Sequence, residues 1–230
     1  MQLNRSLEMR LFYFLVLVFG LPTISFGQLN LSVLYSSSYT QPDTHQSIID
    51  QFNADRPGLT KQFEDIRFLN GYGLGLRYKV DRIAFNTRWE NQIDRLRANG
   101  TDNNNEAFEQ TLFFKLTTFS FGIESFFSEH LSIHGSFEFN NARYRTELND
   151  SDKFDLANDW ATGSTLSIGY NFIGGSLMHV SLRPFIHISW TNHDLIGLHT
   201  ALNPDVPATR DFDEEFLNFG IKLIFYNGQW

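Results

Sequence analysis

Across residues 28–230, apolar positions alternate one by one with small or polar ones, in runs separated by polar clusters. The run Tyr72-Gly73-Leu74-Gly75-Leu76-Arg77-Tyr78-Lys79-Val80 puts Tyr, Leu, Leu, Tyr and Val on one side of an extended backbone and Gly, Gly, Arg and Lys on the other. A period of two marks a strand whose faces meet different environments; a helix would show a period near 3.6. The pattern recurs over 29–35, 83–93, 119–127, 131–141, 162–172, 180–190 and 217–225, so eight strands are predicted.

Their connections alternate in length. Asp81-Arg82, Ser128-Glu129-His130 and a stretch around Gly174-Gly175-Ser176 are short, whereas 41–61, 94–106, 147–159 and 192–215 are long and polar. Segregated loop lengths of this kind are what outer-membrane barrels show, with turns in the periplasm and loops outside the cell. The expectation is an all-β chain: an eight-stranded antiparallel up-and-down transmembrane β-barrel with three short periplasmic turns and four longer extracellular loops.

Alternation alone does not say which face points outward, because a soluble lipocalin-type barrel also alternates, with its apolar side inside. Size decides. About thirty bulky apolar side chains share one face, among them Leu74, Leu76, Phe85, Phe121, Ile168 and Ile221, and an eight-stranded barrel is too narrow to hold them. They face out, and on an exported chain the solvent for them is hydrocarbon. The opposite face offers Gly73, Gly75, Gly122, Gly163, Ser132 and Ser136, which leave room for charges between them. On tilted strands Trp89, Trp160 and Trp190 fall at one end and Tyr78, Phe127 and Phe172 at the other. These two sets are the expected aromatic girdles.

The lumen face carries Arg77, Glu124, His134, Arg183 and Lys222 at one height and Arg88, Glu90, Glu138 and His187 at a higher one. Buried charge is costly unless paired, so a salt-bridged plug is the leading expectation. A narrow ion path is the alternative, and its excess of basic groups would favour anions.

The N-terminus changes the picture of location. Arg5 and Arg10 precede an apolar stretch over 11–21, and Ser25-Phe26-Gly27 offers small residues where a signal peptidase cuts. That apolar run is far short of the roughly 20 residues that span a bilayer. Residues 1–27 are therefore read as a cleaved signal peptide, and 28–230 as one barrel domain in the bacterial outer membrane. A net charge of -8 argues against nucleic acid as a partner. The absence of cysteine removes thiolate chemistry and disulfides.

The hairpin from Phe121 to Glu138, FGIESFFSEHLSIHGSFE, resembles the central hairpin of small bacterial outer-membrane β-barrel domains, such as those of outer membrane proteins A and X. The resemblance implies a monomer inserted by the barrel assembly machinery, among outer-membrane lipid and lipopolysaccharide, with roles from envelope integrity to adhesion. In that family an outward aromatic ends the chain. Here Phe225 ends the alternation and five residues follow.

No cofactor, metal site or catalytic residue is expected. Loop stretches such as Asp211-Phe212-Asp213-Glu214-Glu215 do not have the spacing of a calcium loop and read as solvated tips. His134-Gly135-Ser136 and His187-Ile188-Ser189 each set a His and a Ser on one face. A hydroxyl nucleophile needs its base within hydrogen-bond reach and a third, orienting group. An outer-membrane lipid hydrolase is thus the third reading, behind a non-enzymatic barrel and a small pore.

Overall fold

A computed structural model describes residues 28–101, 106–149, 151–172, 178–208 and 211–227. The leader expected at 1–27 and the turn expected around Gly174 lie outside these residues. Eight long strands form the wall: β1 (Gln28–Thr40), β3 (Phe68–Val80), β4 (Ile83–Thr101), β5 (Ala107–Phe126), β6 (Leu131–Leu148), β7 (Phe154–Phe172), β8 (Met178–Ser189) and β11 (Asn218–Asn227). Each pairs antiparallel with the next, and β11 pairs antiparallel with β1, which closes the ring. Closure leaves no edge and satisfies the backbone groups that lipid cannot. The turn between β3 and β4 is two residues long, and Asp81 takes the left-handed conformation there (φ 50°) that tight hairpins require.

The wall has the expected orientation. Leu31, Leu74, Phe85, Phe121, Ile168, Ile186 and Ile221 are exposed, while Arg77, Glu124, Ser132, His134 and Arg183 are buried inside. Packing in the lumen depends on small neighbours. A Cβ at Gly122 would stand 2.5 Å from His134 Nε2, and one at Gly163 would stand 2.6 Å from His187 Cε1.

The long loops differ from the sequence expectation. Residues 94–101, 107–118, 142–148 and 154–161 continue the strands, so 94–106 and 147–159 are mostly hairpin. The other two loops are folded. Residues 41–61 hold α1 (Asp43–Ala54) and β2 (Leu59–Lys61), the latter added to the upper end of β4. Residues 192–215 hold β9 (His193–Asp194), α2 (Ile196–Leu202) and β10 (Asp213–Glu214).

These elements build a second, apolar core. Ile48, Ile49 and Phe52 of α1 and Leu198 and Leu202 of α2 pack with Leu96, Leu112, Phe114, Tyr144 and Phe216. The strands supply this core from the face that carries charge lower down. Going up β5, the inward residues run Glu124, Ser120, Thr118, then Leu116, Phe114, Leu112, all buried. The apolar face of α1 recurs at His45, Ile48, Ile49 and Phe52, the i, i+3, i+4, i+7 spacing of an amphipathic helix.

Candidate functional site: a charged lumen under a folded cap

Below the cap the lumen charges form two clusters. In the lower one Arg183 Nη2 stands 2.5 Å from Glu124 Oε1, and both side chains are fully buried. Ser132 Oγ donates to the same carboxylate oxygen at 2.7 Å. Arg77 donates to Asn30 Oδ1 (3.0 Å), meets His179 Nε2 (2.7 Å) and stacks 3.8 Å above the Tyr226 ring. In the upper cluster Lys222 Nζ pairs with Glu90 Oε2 at 2.8 Å. His187 Nδ1 lies 2.8 Å from Glu138 Oε2, whose other oxygen accepts from Ser136. The Arg183–Glu124, Lys222–Glu90 and His187–Glu138 contacts each join strands that are not neighbours in the ring, so they brace the lumen across its width.

The nine expected lumen residues all lie inside, with differences in company. The Lys222 backbone stands at the height of Arg183, its cross-strand partner by register. Its long side chain instead reaches up to Glu90. Arg88 is buried, with Nε and Nη2 lacking a hydrogen-bond partner among the described residues, as does Nδ1 of His134. The pattern missed Asn30, His179 and Tyr226 around Arg77. All three sit at lumen parity, but His179 and Tyr226 fall one residue outside the alternating runs 180–190 and 217–225.

Between the upper cluster and the cap remains a cavity of about 10 Å³, lined by Gln92, Thr118, Asn140, Thr165 and the Glu138 and His187 pair among others. That is room for roughly one water molecule. Ser189 Oγ is 3.5 Å from His187 Nε2, and its hydroxyl donates to the Phe216 carbonyl at 3.1 Å.

The cap is fastened at the start of α1. Pro42 cannot cap the helix with its side chain, leaving its first N–H groups in need of acceptors. Glu214, on β10, fills that role: its Oε2 accepts from the His45 backbone N–H at 2.8 Å, and Thr44 Oγ1 donates to the Asp213 carbonyl at 2.6 Å. Glu214 is therefore buried, against its reading as a solvated loop tip. A carboxylate suits the positive end of a helix, yet burial pushes its pKa up to about 7. Burial also lowers His45 and His193 to about 4. His45 stacks on Tyr144 and His193 meets Phe216 edge-on, and the ring nitrogens of both have no hydrogen-bond partner among the described residues.

The tryptophans stand on the wall toward the long-loop side, with Ile93 continuing the apolar surface beyond Trp89. Trp160 is exposed and stacks with Phe119, Trp190 is exposed against Phe137, and Trp89 meets Tyr72 edge-on. Phe127 is exposed and Tyr78 half-buried beside the short turns, and Phe172 is exposed at the end of β7.

No family model and no curated protein matches the sequence. Among solved structures the chain is similar to Ail, the attachment invasion locus protein of Yersinia pestis, in complex with the heparin analogue sucrose octasulfate (9% identity, 87% of this chain and 98% of that one, TM-score 0.47). It is also similar to neisserial surface protein A (5%, 88% and 98%, TM-score 0.41) and to the outer membrane protein OprG from Pseudomonas aeruginosa (11%, 86% and 93%, TM-score 0.35). By its own strand order, closure and wall polarity, the chain has the architecture of a small eight-stranded outer-membrane β-barrel.

Proposed function

We propose that this protein is an integral outer-membrane barrel with a structural or surface-interaction role, closed to solute flow and without enzymatic activity. The observation that carries this reading is the arrangement of polarity across the wall: apolar side chains cover the outside, and cross-lumen ion pairs fill the inside. A wall of that kind is stable only where hydrocarbon lies outside. Export through the leader at residues 1–27 and insertion by the barrel assembly machinery belong to the same proposal.

A pore would need a continuous wet path, but the lumen is crossed by two ion pairs and the Glu138–His187 contact and roofed by an apolar core. A lipid hydrolase would need an acyl chain at Ser189, whose hydroxyl is engaged with Phe216 beneath the cap beside a space for about one water.

The test combines membrane fractionation and heat-modifiable gel migration with conductance in planar bilayers. The full chain is expected to need detergent, to migrate differently when boiled and to give no steady channel at neutral pH. Recovery in the osmotic-shock fraction would remove the membrane reading, and steady openings would replace the plug with a pore.

A further inference from the structure

We propose that the outer wall of β4, β5 and β6, immediately above its lipid-facing zone, binds the phosphate of an outer-leaflet lipid headgroup through Arg95, Lys115 and Arg145. This inference rests on the membrane placement argued above.

Register brings the three cations together. Phe113 of β5 stands opposite Arg95 of β4 on one side and Arg145 of β6 on the other. Lys115, two residues down the same strand, points the same way and stands opposite Arg143. The Arg95 guanidinium lies 5.1 Å and the Lys153 ammonium 4.1 Å from the centre of the Phe113 ring, so this ring already gathers positive charge.

Composition does not account for the crowding, because the chain carries a net charge of -8. Ion pairing does not account for it either. The carboxylates on this wall are already engaged: Glu109 with Arg97 at 3.3 Å, Asp155 with Arg143 at 2.7 Å and Glu147 with Lys153 at 3.7 Å. Asp155 stands opposite Arg145, but both of its oxygens are held by Arg143, so Arg95, Lys115 and Arg145 are left with no carboxylate within salt-bridge distance among the described residues. Like charges on adjacent strands repel, so an anion from outside the chain would stabilise them.

Height selects the source of that anion. Ile93, opposite Lys115, is exposed and is the last apolar outward residue of β4. Below it the same wall shows Trp89, Phe119 and Phe139. The cations therefore begin where the hydrocarbon-facing surface ends, in the layer occupied by headgroup phosphates. A phosphorylated lipid can place its phosphate on the cations and its acyl chains on the wall beneath, whereas a free phosphate gains only the first contact.

The test uses the full chain in nanodiscs of phosphatidylcholine doped with diphosphoryl lipid A or with the same lipid stripped of its phosphates. Lipid retained after detergent extraction is read by native mass spectrometry. The wild-type protein is expected to retain the phosphorylated form at least about tenfold better, and the R95Q/K115Q/R145Q variant to lose that preference, given the attraction each basic side chain exerts at a membrane surface. R97Q, which removes a cation already paired with Glu109, should keep it. Millimolar inorganic phosphate should not displace the lipid. Equal retention of the two lipids, an unchanged preference in the triple variant, or displacement by inorganic phosphate would overturn the proposal. The wild-type comparison stands even if the triple variant does not fold. A chain that fails to enter the nanodisc overturns the membrane reading, and this inference with it; entry without phosphate preference overturns the inference alone.

Discussion

The lower and upper halves of the same strands obey opposite rules. On β4 the inward residues run Asn86, Arg88, Glu90, Gln92 and then Leu96, Ala98, while the outward ones run Phe85, Trp89, Ile93 and then Arg95, Arg97. On β6 the inward run His134, Ser136, Glu138, Asn140 gives way to Ala142 and Tyr144, and outward Phe139 gives way to Arg143 and Arg145. The backbone ladder continues through both zones, and only the medium around it changes. Where hydrocarbon surrounds the wall, apolar groups face out and the interior is held by ion pairs; where water surrounds it, the apolar groups turn in and the interior is held by packing.

The largest effect expected from this contrast comes from breaking a lumen pair. Glu124→Ala removes the partner of Arg183 and leaves a guanidinium buried at zero exposure, a change that costs about 3–5 kcal/mol. Denaturant unfolding in detergent should show that loss for the whole barrel. A loss under about 1 kcal/mol would mean that water already solvates the lumen, and the plug reading would fail.

Next in size is a charge placed on the wall. Phe121, exposed on β5 two residues below the girdle partners Phe119 and Trp160, should not tolerate arginine well: Phe121→Arg is expected to cost about 1–3 kcal/mol at a depth between the bilayer midplane and the outer interface. Six residues higher on the same strand, the wall carries lysine at position 115. Equal stability of Phe121→Arg and wild type in lipid vesicles would place water, not hydrocarbon, at that height.

The inversion also explains what the sequence disclosed and what it hid. Eight strands, closure and the outward face were legible because the lower zone alternates cleanly over each segment, as in 72–80. The clean alternation ends at Ile93, Phe119, Asn141 and Thr162 because there the apolar residues change parity, and a strand whose apolar set moves to the other face is no longer one alternating run. The upper strands therefore looked like polar loops. The helix in 43–54 was legible in principle from Ile48, Ile49 and Phe52, but three apolar residues among Asp, Thr, Gln and Asn make a narrow stripe. Of the lumen pairs, which residues face inward follows from parity. Which acid meets which base does not, since Lys222 spans a height difference through its own flexible chain. The buried state of Glu214 had no local signal, because its partner His45 lies 169 residues away.

The smallest of the three effects is confined to the cap, and its sign follows from three buried groups. Glu214 has a pKa of about 7 in the closed cap against an ordinary 4.5, so its proton favours closure at low pH, and that contribution is lost as pH rises through 7. His45 and His193 have values of about 4 against 6.5, so they favour closure above 6.5, and that contribution is lost as pH falls toward 4. Near pH 5.5 the closed cap holds the Glu214 proton and neither histidine proton, whereas an opened cap holds both histidine protons and little of the other. Opening thus takes up about one net proton, so acidification loosens the cap by roughly 1.4 kcal/mol per pH unit there, while near pH 7 the opposing groups nearly cancel. Hydrogen exchange of the Ile48 and Phe52 amides, corrected for intrinsic rates, should lose protection between pH 6.5 and 5 while the lower-strand amides keep theirs. Glu214→Gln removes the opposing group, so the same window should then show a steeper loss, approaching two protons. Protection that holds or grows on acidification would mean that the histidines are already solvated, and the upper zone would not be the dry core that its side chains describe.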